Sequence, residues 1–173
     1  MIIIKRILVV LILIISLVLI VAYFMPKEYM VEREITINKP VDSVFKYVKS
    51  LKNQNEFSVW ANIDPKMKVS YKGTDGWESN VKEVGVGEQE ITKIKENRQI
   101  DFALRFKKPM EDTAVGFMST EPLSGNQTKV KWEINGKIPY QTNIMLPMLR
   151  LDQMIGKDLQ KGLENLKNIM EEK

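Results

Sequence analysis

The sequence contains no cysteine and no histidine. Without cysteine there is no disulfide framework, and no redox compartment can be read from one. The two absences together remove Ser-His-Asp and Cys-His catalysis and the usual Cys/His zinc sites. Acid–base chemistry would fall to Asp, Glu, Lys, Tyr, Ser or Thr. The sequence assigns no catalytic residue, no metal and no cofactor. A large basic excess is also missing. The formal net charge is +4, but the first 26 residues hold only Lys5 and Arg6, leaving 24 basic against 22 acidic residues in the rest. That balance excludes a nucleic acid as partner. The length of 173 residues suits one domain plus an appendage.

What the chain does have is one long apolar run. Ile7 to Met25 carries no charge, and Ser16 is its only clearly polar residue. As a helix these positions span roughly 28 Å, close to the hydrocarbon thickness of a bilayer. Tyr23 and Phe24 lie at its end, where aromatic rings favour the interface. A cleaved signal peptide would have a shorter apolar core and an A-x-A-like site. Here Ala22 is the only small apolar residue near the end. The sequence therefore predicts an anchor over 1–26, a linker over 27–30 and a domain over 31–173. Lys5 and Arg6 favour a cytoplasmic amino terminus, a single-pass placement in the cell membrane and an extracytoplasmic domain.

Beyond the linker, Val31 to Ile37 alternates as a strand, with Arg33 discordant on its apolar side. Pro40 opens a helix carrying Val41, Val44, Phe45, Val48 and Leu51 at helical spacing. A second short helix is expected over Asn53–Trp60, ended by Asp64-Pro65. Strands follow over Met67–Lys72, around Trp77, over Glu88–Glu96, over Ile100–Phe106, over Thr113–Glu121 and around Val130–Ile134. Asn97-Arg98 and Ser124-Gly125-Asn126 supply turns. Short turns between successive strands imply an antiparallel sheet. A long helix from Met148 to Glu171 closes the chain, with Pro147 at its start. Gly156 and Gly162 interrupt it at about 1 kcal/mol each relative to alanine, which close approach to a packing partner would explain. The fold class is α+β: a curved antiparallel sheet gripping one long C-terminal helix.

Several stretches in this order resemble the START-like, or SRPBCC, superfamily, in its bacterial branch named for polyketide cyclases and dehydrases. They are Glu34-Ile-Thr-Ile-Asn-Lys-Pro-Val-Asp-Ser-Val-Phe45, Trp60, Tyr71-Lys-Gly73, Gly85-Val-Gly-Glu-Gln-Glu-Ile91, Ile100-Asp-Phe-Ala-Leu-Arg-Phe106 and Ile155-Gly-Lys-Asp-Leu-Gln-Lys-Gly-Leu-Glu-Asn-Leu-Lys167. The likeness runs over roughly residues 31–170. It implies a helix-grip fold with a deep cavity between sheet and terminal helix. Members bind lipids, hormones, polyketides or other apolar molecules, and a minority catalyse reactions. The stretch Asp75–Ser79 is short against the family pattern, which puts the sheet edge and cavity mouth in question.

Trp60, Trp77, Phe102, Phe106, Phe117, Met118, Trp132, Met148, Leu151 and Met154 fall on expected inward faces or beside the grip. An apolar, aromatic lining is what a ligand pocket needs, and methionine adapts to irregular shapes. Each of them could equally fill a core, but one helix cannot easily fill a wide curved sheet. Glu88, Glu90 and Asp101 form a carboxylate group on neighbouring strands. A solvated strand face with Lys93 and Arg105 as partners explains them more simply than acid–base work. Gly85-Val-Gly87 lies between strands, so it is a turn and no phosphate loop. Three readings follow. One is a membrane-held binder of a hydrophobic small molecule or lipid, which the bilayer concentrates locally. The second is a cyclase- or hydrolase-type enzyme, which needs perturbed acids or a Tyr–Lys pair in the cavity. The third is an envelope interaction domain with a filled cavity.

Overall fold

Side-chain alternation divides the soluble part into two faces. The computed structural model describes residues 2–64, 66–71, 75–79, 84–108 and 111–172. Pro65, Lys72 and Gly73, used in the sequence reading, lie outside the described residues. Among the described residues there are seven strands: β1 (Glu28–Ile37), β2 (Lys68–Tyr71), β3 (Asp75–Glu78), β4 (Val86–Lys95), β5 (Gln99–Lys108), β6 (Asp112–Leu123) and β7 (Gln127–Lys137). They form one antiparallel sheet in the order β1-β7-β6-β5-β4-β3-β2. The first strand thus pairs with the last. Glu28 already pairs with Lys137, so residues 28–30 of the expected linker are strand. Tight turns at Asn97 and at Gly125-Asn126, all at positive φ, join β4 to β5 and β6 to β7.

The helices are α1 (Ile2–Phe24), α2 (Val41–Val48), α3 (Leu51–Phe57), α4 (Leu146–Leu149) and α5 (Leu151–Glu172). The expected Asn53–Trp60 helix begins two residues earlier and ends at Phe57, followed by a 3-10 turn over Trp60–Asn62. Ser50 caps α3 by accepting the Asn53 N–H at 3.4 Å. The long terminal helix is not continuous from Met148. Arg150 adopts a left-handed conformation, φ 46°, and breaks it into α4 and α5. Arginine rarely takes that region, so the sequence carries no sign of the break.

Helix α5 packs on β1 and against α3. Leu159, Leu163 and Leu166 are fully buried there with Phe45, Phe57, Ile37 and Val130. Each leucine contributes roughly 1.5–3 kcal/mol by leaving water. The two glycines of α5 sit where side chains of the sheet cross the helix. A Cβ at Gly156 would overlap the Arg33 guanidinium, and one at Gly162 would meet Trp132 at 2.8 Å. The partners are therefore mainly side chains, with the Phe57 carbonyl also near Gly162 at 3.4 Å. Arg33 is no longer discordant. It points inward, crosses α5 at Gly156 and bonds to Asp152.

Helix α1 is long and apolar enough to cross a membrane, and nearly all of its side chains are exposed. Its carboxyl end is fastened to the segment after β7. Asn143 Nδ2 donates to the Ala22 and Met25 carbonyls at 2.7 and 3.1 Å. Tyr140 donates to the Leu19 carbonyl at 2.9 Å, and the Ile138 N–H to Lys27 at 2.8 Å.

Candidate functional site

The inner face of the sheet changes character along its strands. At the end away from α1, Ile100, Phe102, Met118, Val130 and Trp132 are buried in one core with residues of α2, α3 and α5. Towards the other end the inward positions are Leu104, Phe106, Ala114 and Ile134, and α5 contributes Ile155. Ala114 is small, and it faces Gly136 on β7 and Leu104 on β5. A cavity of about 230 Å³ opens there, roofed by Trp60, Ala61 and Met67 and bordered by Trp77 and Val84. This is slightly below the roughly 300–1,000 Å³ of pockets for drug-sized ligands.

Local structure positions the aromatic rings. Trp77 pairs with Gly87 on β4, where a Cβ would overlap its ring. Its Nε1–H donates to the Val84 carbonyl at 3.2 Å, and its ring meets Phe106 edge-on at 6.0 Å. Trp60 stands edge-on to Trp132 at 6.1 Å, and Trp132 in turn to Phe57 at 5.7 Å. Such edge contacts hold rings in place beyond area burial alone.

Four polar residues reach this apolar lining: Tyr29, Asn55, Ser58 and Gln89. Gln89 Nε2 donates to Gln54 Oε1 at 2.8 Å, and Gln54 Nε2 donates to the Val48 carbonyl at 2.8 Å, a relay of neutral amides. Asn55 Nδ2 donates to the Tyr71 hydroxyl at 3.2 Å. The Tyr29 ring lies over Gly136. Burial, and secondarily the charge of Asp112, push its pKa up, so it is a neutral hydroxyl at ordinary pH. Among the described residues no charged side chain lines the cavity.

Trp60, Trp77 and Phe106 line the cavity. Phe102, Met118 and Trp132 face inward but are buried in the packed core beside it. Phe117 is placed differently. It alternates with the inward Gly116 and Met118 and pairs with Glu133 on the outer face. An apolar residue on both faces of β6 misled the expectation. Met148 and Met154 are 79% and 63% exposed, because the break at Arg150 turns α4 away from the sheet and Met154 faces outward from α5. Leu151 is half-buried outside the lining. Sequence reasoning missed the rest of the lining, Tyr29, Gln89, Leu104, Ala114, Ile134 and Ile155 among them. Gln89, a polar residue between the inward Gly87 and Ile91, was a usable signal.

Glu88, Glu90 and Asp101 lie on the outer face. Arg105 Nη2 reaches Glu90 at 2.5 Å, Lys107 reaches Glu88 at 2.8 Å, and Gln99 donates to Asp101 at 2.5 Å. The Lys107 hydrogen bond holds Glu88 below the usual carboxylate range. Arg105 is thus the expected partner of this group, and Lys93 is opposite Asp101 in register. Among the described residues no His/Cys/Asp/Glu cluster suits a metal ion.

Residues 30–171 match the family described as polyketide cyclase / dehydrase and lipid transport. No curated protein matches the chain. A conserved protein from Geobacillus kaustophilus superposes with a TM-score of 0.61 at 10% identity, over 83% of this chain and 96% of that one. Ara h 8.0201 does so with a TM-score of 0.57 at 12% identity, over 84% and 99%. The di-domain ARO/CYC protein StfQ from the steffimycin biosynthetic pathway gives 0.60 at 10% identity, over 84% of this chain and 51% of that one. At these identities the likeness is one of fold.

Proposed function

The chain belongs to the polyketide cyclase / dehydrase and lipid transport family, and from that premise we propose that it is a membrane-tethered binder of an uncharged hydrophobic small molecule or lipid. The cavity under Trp60 and beside Trp77 supports this reading, and its lining carries it: apolar walls, four neutral polar groups and no charge among the described residues. A buried charge without a partner is costly, so an anionic group would be held poorly there. Neutral hydroxyl or carbonyl groups on the ligand can bond to Tyr29 or Gln89.

The tether is supported by the contacts at the end of α1. A signal sequence shares the length and composition of this helix. A domain released from one has no use for Asn143, fully buried and spent on the Ala22 and Met25 carbonyls. Lys5 and Arg6 before the apolar run support a cytoplasmic amino terminus and a domain outside the cytoplasm. A cyclase reading needs an acid–base pair in the cavity, and the described lining offers Tyr29 as its one ionisable group.

The test is organic extraction and mass spectrometry of the full chain, purified in nanodiscs, beside Ala114→Phe, which fills the cavity. A near-stoichiometric apolar compound from the native chain, lost in the variant, is expected. A blank, together with no thermal shift across a panel of neutral lipids, overturns the proposal.

A further inference from the structure

Four large apolar side chains stand exposed in one short stretch. Met145, Met148, Leu149 and Met154 are 51%, 79%, 37% and 63% exposed. They stay exposed although the turn that holds Met145 touches α1. The stretch also holds the anchor. Tyr140 and Asn143 bond to α1 within the residues leading up to it, and Lys27 Nζ lies over the Tyr23 and Tyr140 rings at 5.5 and 5.7 Å.

The Tyr140 bond sets a depth. Its acceptor is the Leu19 carbonyl, five residues before the helix end at Phe24. At 1.5 Å per residue that is about 7.5 Å back along the axis, within the apolar helix. A tyrosine bonded there lies in the interfacial layer, where its ring is favoured. Met145 follows Tyr140 by five residues, in the 3-10 turn that Asn143 opens.

We propose that residues 139–154 form a second membrane contact, in which Met145, Met148, Leu149 and Met154 enter the lipid interface beside α1. The inference rests on the tether reading and adds to it: the domain lies on the bilayer instead of swinging from a linker. Burying methylenes in lipid is favourable, so several apolar side chains suffice for a lasting contact once the anchor removes the cost of association. The consequence reaches the cavity. Ile155 follows Met154 directly and lines the cavity, and Tyr29 lines it two residues after Lys27. In this arrangement the ligand site lies in the part of the domain next to the bilayer, where apolar molecules are concentrated.

The absence of native cysteine makes the test clean. Met145→Cys, Met148→Cys and Ser124→Cys, the last in the β6–β7 turn at the other end of the sheet, are labelled with an environment-sensitive dye. The full chain is reconstituted in phosphatidylcholine–phosphatidylglycerol vesicles with headgroup-proximal spin-labelled lipid. Quenching at positions 145 and 148 at least about twofold stronger than at 124 is expected for interfacial burial. Equal quenching at all three overturns the inference. So does a blue shift at 145 and 148 without quenching that grows with protein density, which assigns the face to a second copy. Intact mass of chain isolated from cell membranes separates the two levels. Loss of residues 1–25 sinks the tether reading and this inference with it, whereas intact chain with unquenched labels sinks the inference alone.

Discussion

Arg33 on β1 and Asp152 in the first turn of α5 are joined by two hydrogen bonds, Nη1 to Oδ1 at 2.9 Å and Nη2 to the Asp152 carbonyl at 3.0 Å. They tie the first strand to the last helix. The guanidinium can lie across the helix only because residue 156 has no side chain. The hydrogen bond from Arg33 holds Asp152 below the usual carboxylate range and raises Arg33 in return.

Gly156→Ala is therefore expected to destabilise, against the ordinary rule. In a helix interior this change normally gains about 1 kcal/mol. Here the new methyl displaces the guanidinium and breaks its bonds to Asp152. The melting temperature should fall by about 2–4 °C. In an Arg33→Met background the normal gain should return, so the two changes couple strongly in a double-mutant cycle. A simple gain in the native background would show that Arg33 moves aside freely.

Stability should be flat near neutral pH and fall on the acid side. The chain has no histidine to titrate between about pH 5.5 and 7.5. Both ends of α5 depend on carboxylates with lowered pKa values. Asp152 is lowered by the Arg33 hydrogen bond, and Glu171 first by the Asn38 N–H and then by Lys167. A group whose folded pKa lies below its unfolded one stabilises fully above the unfolded value and loses that contribution as pH falls through the folded value. Thermal melts should therefore be constant from about pH 8 to 6 and drop below about pH 4. Asp152→Asn and Glu171→Gln should each flatten part of that drop.

The sheet was legible because clean alternation, as in Ile100-Asp-Phe-Ala-Leu-Arg-Phe106, marks both strand and inward face. The core half of α5 was legible from its leucine spacing. What misled were residues whose placement depends on the backbone path. Met148 and Met154 fit the helical period, yet a left-handed Arg150 turns one away and the other faces outward. Phe117 is apolar on an outer face, and apolar type alone does not assign a side. Which inward residues pack solid and which border a void depends on neighbours across strands, such as Ala114 against Gly136 and Leu104. No single stretch of sequence holds that information.

Ligand binding should be readable from tryptophan emission. Trp60 and Trp77 line the cavity, while Trp132, the third tryptophan, is buried behind Trp60. Titration with the extracted compound should change emission, and Trp60→Phe or Trp77→Phe should each remove part of the change, whereas Trp132→Phe should leave it nearly intact. Trp77→Ala also removes the edge contact with Phe106. It should weaken binding by about two- to tenfold, equivalent to roughly 0.5–1.5 kcal/mol. A response carried wholly by Trp132 would place the ligand elsewhere.

The junction of helix and domain gives the sharpest contrast between two substitutions at one position. Asn143 is fully buried, and its amide donates to two carbonyls at the carboxyl end of α1. Asn143→Ala leaves those carbonyls without their donor and should cost about 1–3 kcal/mol. Asn143→Asp should cost more, although it is closer in shape. A carboxylate has no N–H to give, and it would face the negative end of the helix dipole. Hydrogen exchange on the full chain in nanodiscs should show the damage locally. The Met25 N–H, bonded to the Val21 carbonyl, and the Ile138 N–H, bonded to Lys27, should lose protection in both variants, further in Asp. The β5–β6 ladder should not change. A chain that had shed α1 would respond to neither substitution in this way. Equal protection in native, Ala and Asp forms would mean that the helix end is not held by Asn143 and that the domain hangs free.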